Sequence, residues 1–424
     1  MFDVPYLLGV FFGAAPLATL ATVFIFDVPR DLLALAGVAL ARGRKLGKRQ
    51  GETLTAGHDG DVTVIIASLN DPEGVLLSLE SLRAQDLPPA RVIVFSDGST
   101  DCSVAVLSTL QRRGEIDLVV VNDFRLGRAA AGNVALRYVE TEFVLFIDSD
   151  TRLEPGAIAA LRRRLLTRPE AAVCSGNISV SNHKDSIWAG LQQLEYMISI
   201  DFGREFSDTL GAVACCSGAL SMYRSTMLQD AGGLSSGSGE DLATTLRLRR
   251  MGYEVHFEAD AWARTAVPST LSGLIDQRLR WDRDAFRIQV VQFHQFRKQG
   301  ANEPLANSIQ RYDFVLFTFL PTLMMPLFLP ILTQVPADLL PSFLAGGYVF
   351  LMLLAALILA PVFIGYRGQV SVFQLLLLPI FPLYQGIFMK GVRLYAYVSE
   401  AIFHASARDR YVPARVRQRL NGKC

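Results

Sequence analysis

Four short clusters of polar residues follow one another along the chain: Asp97-Gly98-Ser99-Thr100, Asp148-Ser149-Asp150, Gly239-Glu240-Asp241 and Gln277-Arg278-Leu279-Arg280-Trp281. A hard divalent cation takes oxygen ligands, and magnesium binds one or two carboxylates plus substrate phosphates while keeping several waters. Asp148 and Asp150 suit that task, one carboxylate for the metal and the other for a ribose or a metal-bound water. Glu240-Asp241 follows a glycine–serine loop, residues 232–239. It can present a general base on a loop that closes over substrate. Arg278 and Arg280 can grip a diphosphate, because guanidinium is planar and always charged. The indole of Trp281 suits the C–H face of a pyranose, and Gln277, four residues earlier, shares its helical face. This is the inventory needed to move a sugar from a nucleotide.

Each cluster also has a plain structural reading. Asp97-Gly98-Ser99-Thr100 can cap a helix after a glycine turn. Glu240 and Asp241 can be acids at the positive end of the helix expected over 242–250. Asp148-Ser149-Asp150 alone is an ordinary solvated turn, and an Arg-Trp pair can anchor a helix near a membrane. Their order along one chain favours chemistry.

The elements that must position these residues are legible as apolar runs. Residues 62–67, 91–95, 118–121 and 143–147 are short, continuous and rich in Val, Ile and Phe, as strands buried on both faces are. Between the first two, residues 73–85 place Val75, Leu76, Leu79 and Leu82 on one side of a helix. Strand–helix–strand alternation implies right-handed crossovers and a mostly parallel, Rossmann-like α/β sheet. Ligands then bind beyond the carboxyl ends of the strands, where Asp97 and Asp148 both fall. Residues 185–206 carry Ile187, Trp188, Leu191, Leu194 and Ile198 at helical spacing and are expected to face the core.

The chain has 424 residues, 51% of them hydrophobic, and a formal net charge of +1. Its mean hydropathy of +0.30 is high for a soluble protein, and the excess is localised. Residues 4–26, 314–337, 339–366 and 368–389 carry no charge, and each reaches the roughly 20 residues that span hydrocarbon as a helix. A membrane protein with an uncleaved amino-terminal anchor is expected. Basic residues from Arg42 to Arg49 put the central region in the cytoplasm, at an inner or plasma membrane. The basic residues after Met389 favour the same side for the tail, which conflicts with three later crossings, so three or four spans are expected without fixed parity. Residues 286–297 read as an amphipathic interfacial helix. The expected organisation is an anchor over 1–30, a basic linker over 31–60, a catalytic domain over 61–281, an interfacial region over 282–311, membrane helices over 312–398 and a basic tail over 399–424. No basic run interleaved with aromatics points to nucleic acid. Five cysteines without a C-x-x-C pair argue against a disulfide framework or a zinc site. No charged residue interrupts the apolar segments as a transporter's ion pathway would require.

The ordered set, closed by Gln277-Arg-Leu-Arg280-Trp281, resembles the membrane-embedded, processive family 2 glycosyltransferases: the cellulose, chitin-oligosaccharide, hyaluronan and poly-N-acetylglucosamine synthases. Cys216-Ser217-Gly218-Ala-Leu-Ser-Met-Tyr223-Arg224 is most similar to the hyaluronan and chitin-oligosaccharide branch. The resemblance implies a GT-A fold in which Asp97 contacts uracil and Asp148-Ser-Asp150 holds UDP and Mg or Mn. It also implies Asp241 as base with Glu240 supporting it, Arg280 and Arg278 on the diphosphate, and Trp281 with Gln277, Ser217 and Gly218 on the acceptor side. Arg128, in Leu126-Gly127-Arg128-Ala-Ala-Ala-Gly132, stands where the family usually has lysine, and its assignment to UDP keeps the charge but changes the geometry.

The expected reaction is inverting transfer from a UDP-sugar, UDP-N-acetylglucosamine or UDP-glucose, to a growing glycan, giving a β-linked product for export. The alternative is a single addition to a lipid acceptor by a ceramide-type glucosyltransferase. Membrane lipids are partners in either case.

Overall fold

The computed structural model describes residues 28–48, 61–292, 305–327, 333, 335–366 and 370–408. One compact unit comprises residues 52–310 and 396–424, the other residues 1–51 and 311–395.

The larger unit is built on an eight-stranded sheet in the order β3-β2-β1-β4-β7-β6-β8-β5. The strands are β1 (Val62–Ser68), β2 (Arg91–Asp97), β3 (Leu118–Asn122), β4 (Phe143–Asp148), β5 (Arg152–Leu153), β6 (Ala171–Val180), β7 (Leu220–Arg224) and β8 (Glu254–Thr265). β1 pairs in parallel with β2 and β4, β2 with β3, and β6 with β8. β7 is antiparallel to both β4 and β6, and the short β5 is antiparallel to β8. β6 and β8 therefore run in the same direction as β1 to β4. Ile65, Ile93, Phe95, Phe143, Leu145, Ile147 and Phe257 are sealed in the core, the burial on both faces that the apolar runs implied.

Capping residues start the helices where the sequence offers them. Asp71 accepts a bond from Gly74 N at 3.0 Å and Pro72 opens the helix Pro72–Arg83. Ser186 caps Ile187–Tyr196 and Thr270 caps Leu271–Phe286. The helix expected over 185–206 is continuous in direction but passes through a π-helical stretch, Met197–Phe202, before Gly203–Thr209. Asp201 turns inward from that stretch to accept a hydrogen bond from Asn177 on β6.

The expected interfacial segment is described as far as residue 292. Leu271–Phe286 runs on into π-helical Arg287–Gln292, with Phe286 and Ile288 buried. The Phe286 ring lies 5.3 Å from that of Tyr397.

In the smaller unit one helix among the described residues, Leu340–Gly365, is long and apolar enough to cross a bilayer, with a mean hydropathy of 2.0 over Leu340–Leu357. It matches the expected span over 339–366. The expected span over 4–26 lies outside the described residues. The remaining two are not single α-helices where described. Leu305–Phe314 passes through a π turn and the short helix Leu320–Met324 into a 3-10 turn at Met325–Leu327. Val372–Leu377 and Phe381–Leu383 are separate. Pro321, Pro326, Pro379 and Pro382 account for the breaks, because each removes a backbone donor and crowds the preceding turn.

Candidate active site

The topology explains why residues far apart in sequence meet. β1, β2 and β4 deliver their carboxyl ends to one edge. Because β7 is antiparallel, it begins where β4 ends: Ile147 pairs with Leu220. That register sets Ser217 and Gly218, just before β7, beside Asp148. β8 ends at the same edge, and a hydrogen bond from Thr265 reaches Asp150.

Asp148-Ser149-Asp150 is fixed through its middle residue. Ser149 N donates to Ala67 O at 3.0 Å. Its Oγ donates to Asp71 Oδ2 at 2.6 Å, while the single Ser78 hydroxyl proton is shared between the Ser149 and Thr151 carbonyls, each 2.7 Å from Oγ. The flanking carboxylates are thus held at the rim while the turn itself is tied to β1 and the first helix. Asp150 opens to solvent, yet the surrounding cleft strips part of its hydration. This loss, with the charges of Asp148 and Asp71, pushes its carboxyl up to about 6.

Asp97 is placed at the end of β2 as expected, but it is only 4% exposed and both its oxygens are engaged within the protein. Oδ1 accepts from Asn122 Nδ2 at 3.1 Å and from Leu126 N at 2.7 Å, and Oδ2 accepts from Gly127 N at 2.8 Å. Gly98, at φ 74°, lets the loop over residues 124–125 lie against it, since a Cβ there would be 2.5 Å from Arg125 N. Asn70, in the left-handed region at φ 51°, accepts from Thr100 N at 2.8 Å and so links the ends of β1 and β2.

Arg128 opens the helix Arg128–Leu136 and sits at the centre of the site. Its Nε donates to Asp148 Oδ1 at 2.8 Å, Nη1 to Glu240 Oε1 at 2.9 Å and Nη2 to the Gly218 carbonyl at 2.6 Å. The neighbouring carboxylates push its pKa above the usual range although burial opposes them. Burial pushes the Glu240 carboxyl up, while Arg128 pulls it down.

Glu240 and Asp241 begin the helix Glu240–Arg250 behind Gly239, which is in the left-handed region at φ 71°. Asp241 Oδ1 accepts from Leu242 N at 2.8 Å. The loop before them is clasped from the helix Leu271–Phe286 and its continuation. Ser238 Oγ donates to Asp284 Oδ2, and Arg287 Nη2 donates to Ser238 O at 2.7 Å and Asp284 Oδ1 at 2.8 Å.

The last cluster divides. Arg278, only 6% exposed, donates to Glu195 Oε2 at 2.9 Å and stacks 4.6 Å above the ring of Trp281. Its shown partners are therefore a carboxylate of the helix Ile187–Tyr196 and an indole, which fix the platform. Trp281 is 40% exposed, and the buried Oε1 of Gln277 has no hydrogen-bond partner among the described residues. Arg280 is half-buried one residue before Trp281.

The structure thus brings Asp148, Asp150, Arg128, Ser217, Gly218 and Glu240 to one edge, with Asp241 next in the chain. It ties Asp97 to that edge through residues 126–127. Three contributors were not singled out in the sequence: Asp71, Glu195 and Asp284. An Asp-Pro start signals a helix cap, which locates Asp71 but not its bond to Ser149. Glu195 and Asp284 carry no motif.

A mixed sheet with its polar residues gathered at the carboxyl ends of the parallel strands is a GT-A-like α/β fold. Among solved structures, a mannosyltransferase from Pyrobaculum calidifontis in complex with GDP-Man and Mn2+ shares the fold, with a TM-score of 0.60 at 18% identity, over 88% of this chain and 99% of that one. The family described as glycosyltransferase like family 2 matches residues 58–283, more than half of the chain, and the chain belongs to that family. A poly-β-1,6-N-acetyl-D-glucosamine synthase of Staphylococcus epidermidis is 26% identical over 233 residues, 55% of this chain and 56% of that protein. An N-acetylglucosaminyltransferase of Rhizobium meliloti is 30% identical over 239 residues, 53% of this chain and 56% of that protein. The chain spans about half the length of these curated relatives.

Proposed function

We propose that this protein transfers N-acetylglucosamine from UDP-N-acetylglucosamine with inversion, adding β-linked residues repeatedly to a growing glycan at a membrane, with its catalytic domain on the cytoplasmic side. The observation that carries the reading is the convergence of Asp148, Asp150 and Glu240 on one edge of the sheet, with Arg128 among them. The relatives' names support the sugar, and the segments without charge support the membrane.

Asp148 and Asp150 fit a divalent cation. They are two carboxylates on one turn; burial first, and then the charge of Asp148, pushes the Asp150 carboxyl up to about 6, and a cation there would favour its ionised form. Magnesium or manganese would take these oxygens and fill its remaining positions from diphosphate and water. When bound, it supplies neutralisation of the charge on the departing UDP.

The chain's own residues do the rest. Asp97 fixes the loop over residues 122–127 against which the uracil end of the donor rests. Arg280 faces the diphosphate and stabilises its developing charge. Trp281, backed by Arg278, carries the terminal sugar of the acceptor, and the unpaired Gln277 oxygen accepts from one of its hydroxyls. Asp241 takes the proton of the attacking hydroxyl as that oxygen closes on the anomeric carbon from the face opposite UDP. An α-linked donor then gives a β-linked product.

The test is UDP release by the full chain in nanodiscs with Mn2+ or Mg2+, across UDP-N-acetylglucosamine, UDP-glucose, UDP-glucuronic acid and UDP-galactose, with the products sized. A β-linked ladder from UDP-N-acetylglucosamine is expected. One discrete glycolipid would overturn repeated addition in favour of a lipid acceptor, and no release from any donor would overturn the reading. Asp241→Asn is expected to keep UDP binding and lose transfer by a factor of about 100 or more. Near-wild-type turnover in that variant would exclude Asp241 as base.

A further inference from the structure

We propose that Arg128 is a positioning residue, a three-way brace that sets the base-bearing segment against the donor-side carboxylates before substrate arrives, and that Gly218 is glycine to admit it. The inference rests on the glycosyl-transfer reading above.

A guanidinium carries five N–H donors in a rigid fork. In Arg128 three separate nitrogens reach three separate stretches of chain: the end of β4 at Asp148, the turn before β7 at Gly218 and the start of the helix Glu240–Arg250 at Glu240. An ammonium group offers three donors from a single point, so lysine at this position can serve one or two of these partners but cannot span all three. The brace is itself fixed from behind. Asp97 accepts from the amides of Leu126 and Gly127, the two residues immediately before Arg128. A continuous chain of bonds therefore runs from the end of β2 through Arg128 to the residue preceding Asp241.

Gly218 supplies an independent observation. A Cβ built there would lie 3.0 Å from Arg128 Cζ, 3.0 Å from Nη1 and 3.1 Å from Nη2, and these guanidinium atoms are its three nearest neighbours. That is tighter than ordinary contact, so alanine at 218 must shift the guanidinium. The Ser-Gly turn is thus shaped around the arginine head.

Displacement of a catalytic group by about 1 Å can lower a rate by a factor on the order of 100. The brace therefore predicts a loss in kcat with little change in donor binding. Arg128→Lys, Gly218→Ala and the double variant would be compared with the full-length wild type in nanodiscs, measuring kcat and KM for the UDP-sugar, UDP affinity and melting temperature. Arg128→Lys is expected to lower kcat by about 10- to 100-fold, and Gly218→Ala to lower it by a smaller factor because the added methyl group moves the guanidinium by only a few tenths of an ångström, both with donor KM and UDP affinity within about twofold. The double variant is expected to match Arg128→Lys alone, because the smaller lysine head no longer meets the added methyl group. A rise in donor KM or loss of UDP affinity at unchanged kcat would make Arg128 a nucleotide ligand and overturn the proposal. Fully multiplicative losses in the double variant would separate Gly218 from Arg128 and overturn it too. Wild-type protein that releases UDP from no donor would overturn the underlying reading, and this is recognisable because it fails before any variant is compared.

Discussion

At the scale of single residues, the site is organised by carboxylates that differ in what already holds them. Asp97 is buried and gives both oxygens to Asn122, Leu126 and Gly127. Asn in its place keeps the shape but turns an amide donor toward a backbone donor. Leaving such groups unpaired costs about 2 kcal/mol. Asp97→Asn is therefore expected to lower the melting temperature by roughly 4–8 °C whether or not UDP is present, as differential scanning fluorimetry would show; a loss confined to the UDP-bound state would point to a nucleotide contact instead. Asp150 is the opposite case, exposed and raised to about 6. Below that pH a proton occupies the group proposed to take the metal, so metal binding there would have to displace it. Mn2+ affinity in the presence of UDP should rise as pH goes from 5 to 7 and then level off, and Asp150→Asn should remove most of that rise. Isothermal titration at three pH values decides the matter.

At the scale of elements, the segment that carries Glu240 and Asp241 is clasped rather than open. Ser238, Asp284 and Arg287 form a closed set of bonds, and a Cβ at Gly239 would lie 2.9 Å from both Asp284 Cβ and Ile288 Cδ1. The segment's glycines and serines suggest a loop free to close, but Ser238 is tied to the helix of Gln277 and Trp281 and its continuation. Asp284→Asn keeps the volume but weakens both bonds to charge. It is expected to speed amide exchange over residues 232–239 and to lower kcat about tenfold; unchanged exchange would show that Gly239 packing alone holds the loop. The parallel strands β1 to β4 were legible because burial on both faces leaves an unbroken apolar run. β6 was not, because it mixes Cys174, Ser175, Asn177 and Ser179 among its apolar residues, and the polar ones among them find partners inside the protein. The helix breaks near Pro321 and Pro379 were legible only as prolines, since hydropathy counts side chains and is blind to a missing amide. The Arg128 brace had no signature at all: its partners lie 20, 90 and 112 residues away, and no local pattern encodes them.

At the scale of the whole molecule, the helix Leu340–Gly365 has no buried residue in its most apolar window. An apolar stretch of that length without a buried residue is poorly accommodated in water and well accommodated in hydrocarbon. The full chain is therefore expected to sediment with membranes and to resist alkaline carbonate extraction, as fractionation and immunoblotting would show; recovery in the wash would place it outside the bilayer.

The same long separations have a consequence in time. β1 to β4 pair among themselves and are complete by residue 148, whereas Glu240 reaches Arg128 across 112 residues. At about 5–20 residues per second of synthesis, roughly 6–22 s separate the emergence of the two. During that interval a nascent chain has the carboxyl ends of β1 to β4 without Glu240 and Asp241, so under the proposed roles it is expected to gain affinity for nucleotide before it gains the means to use it.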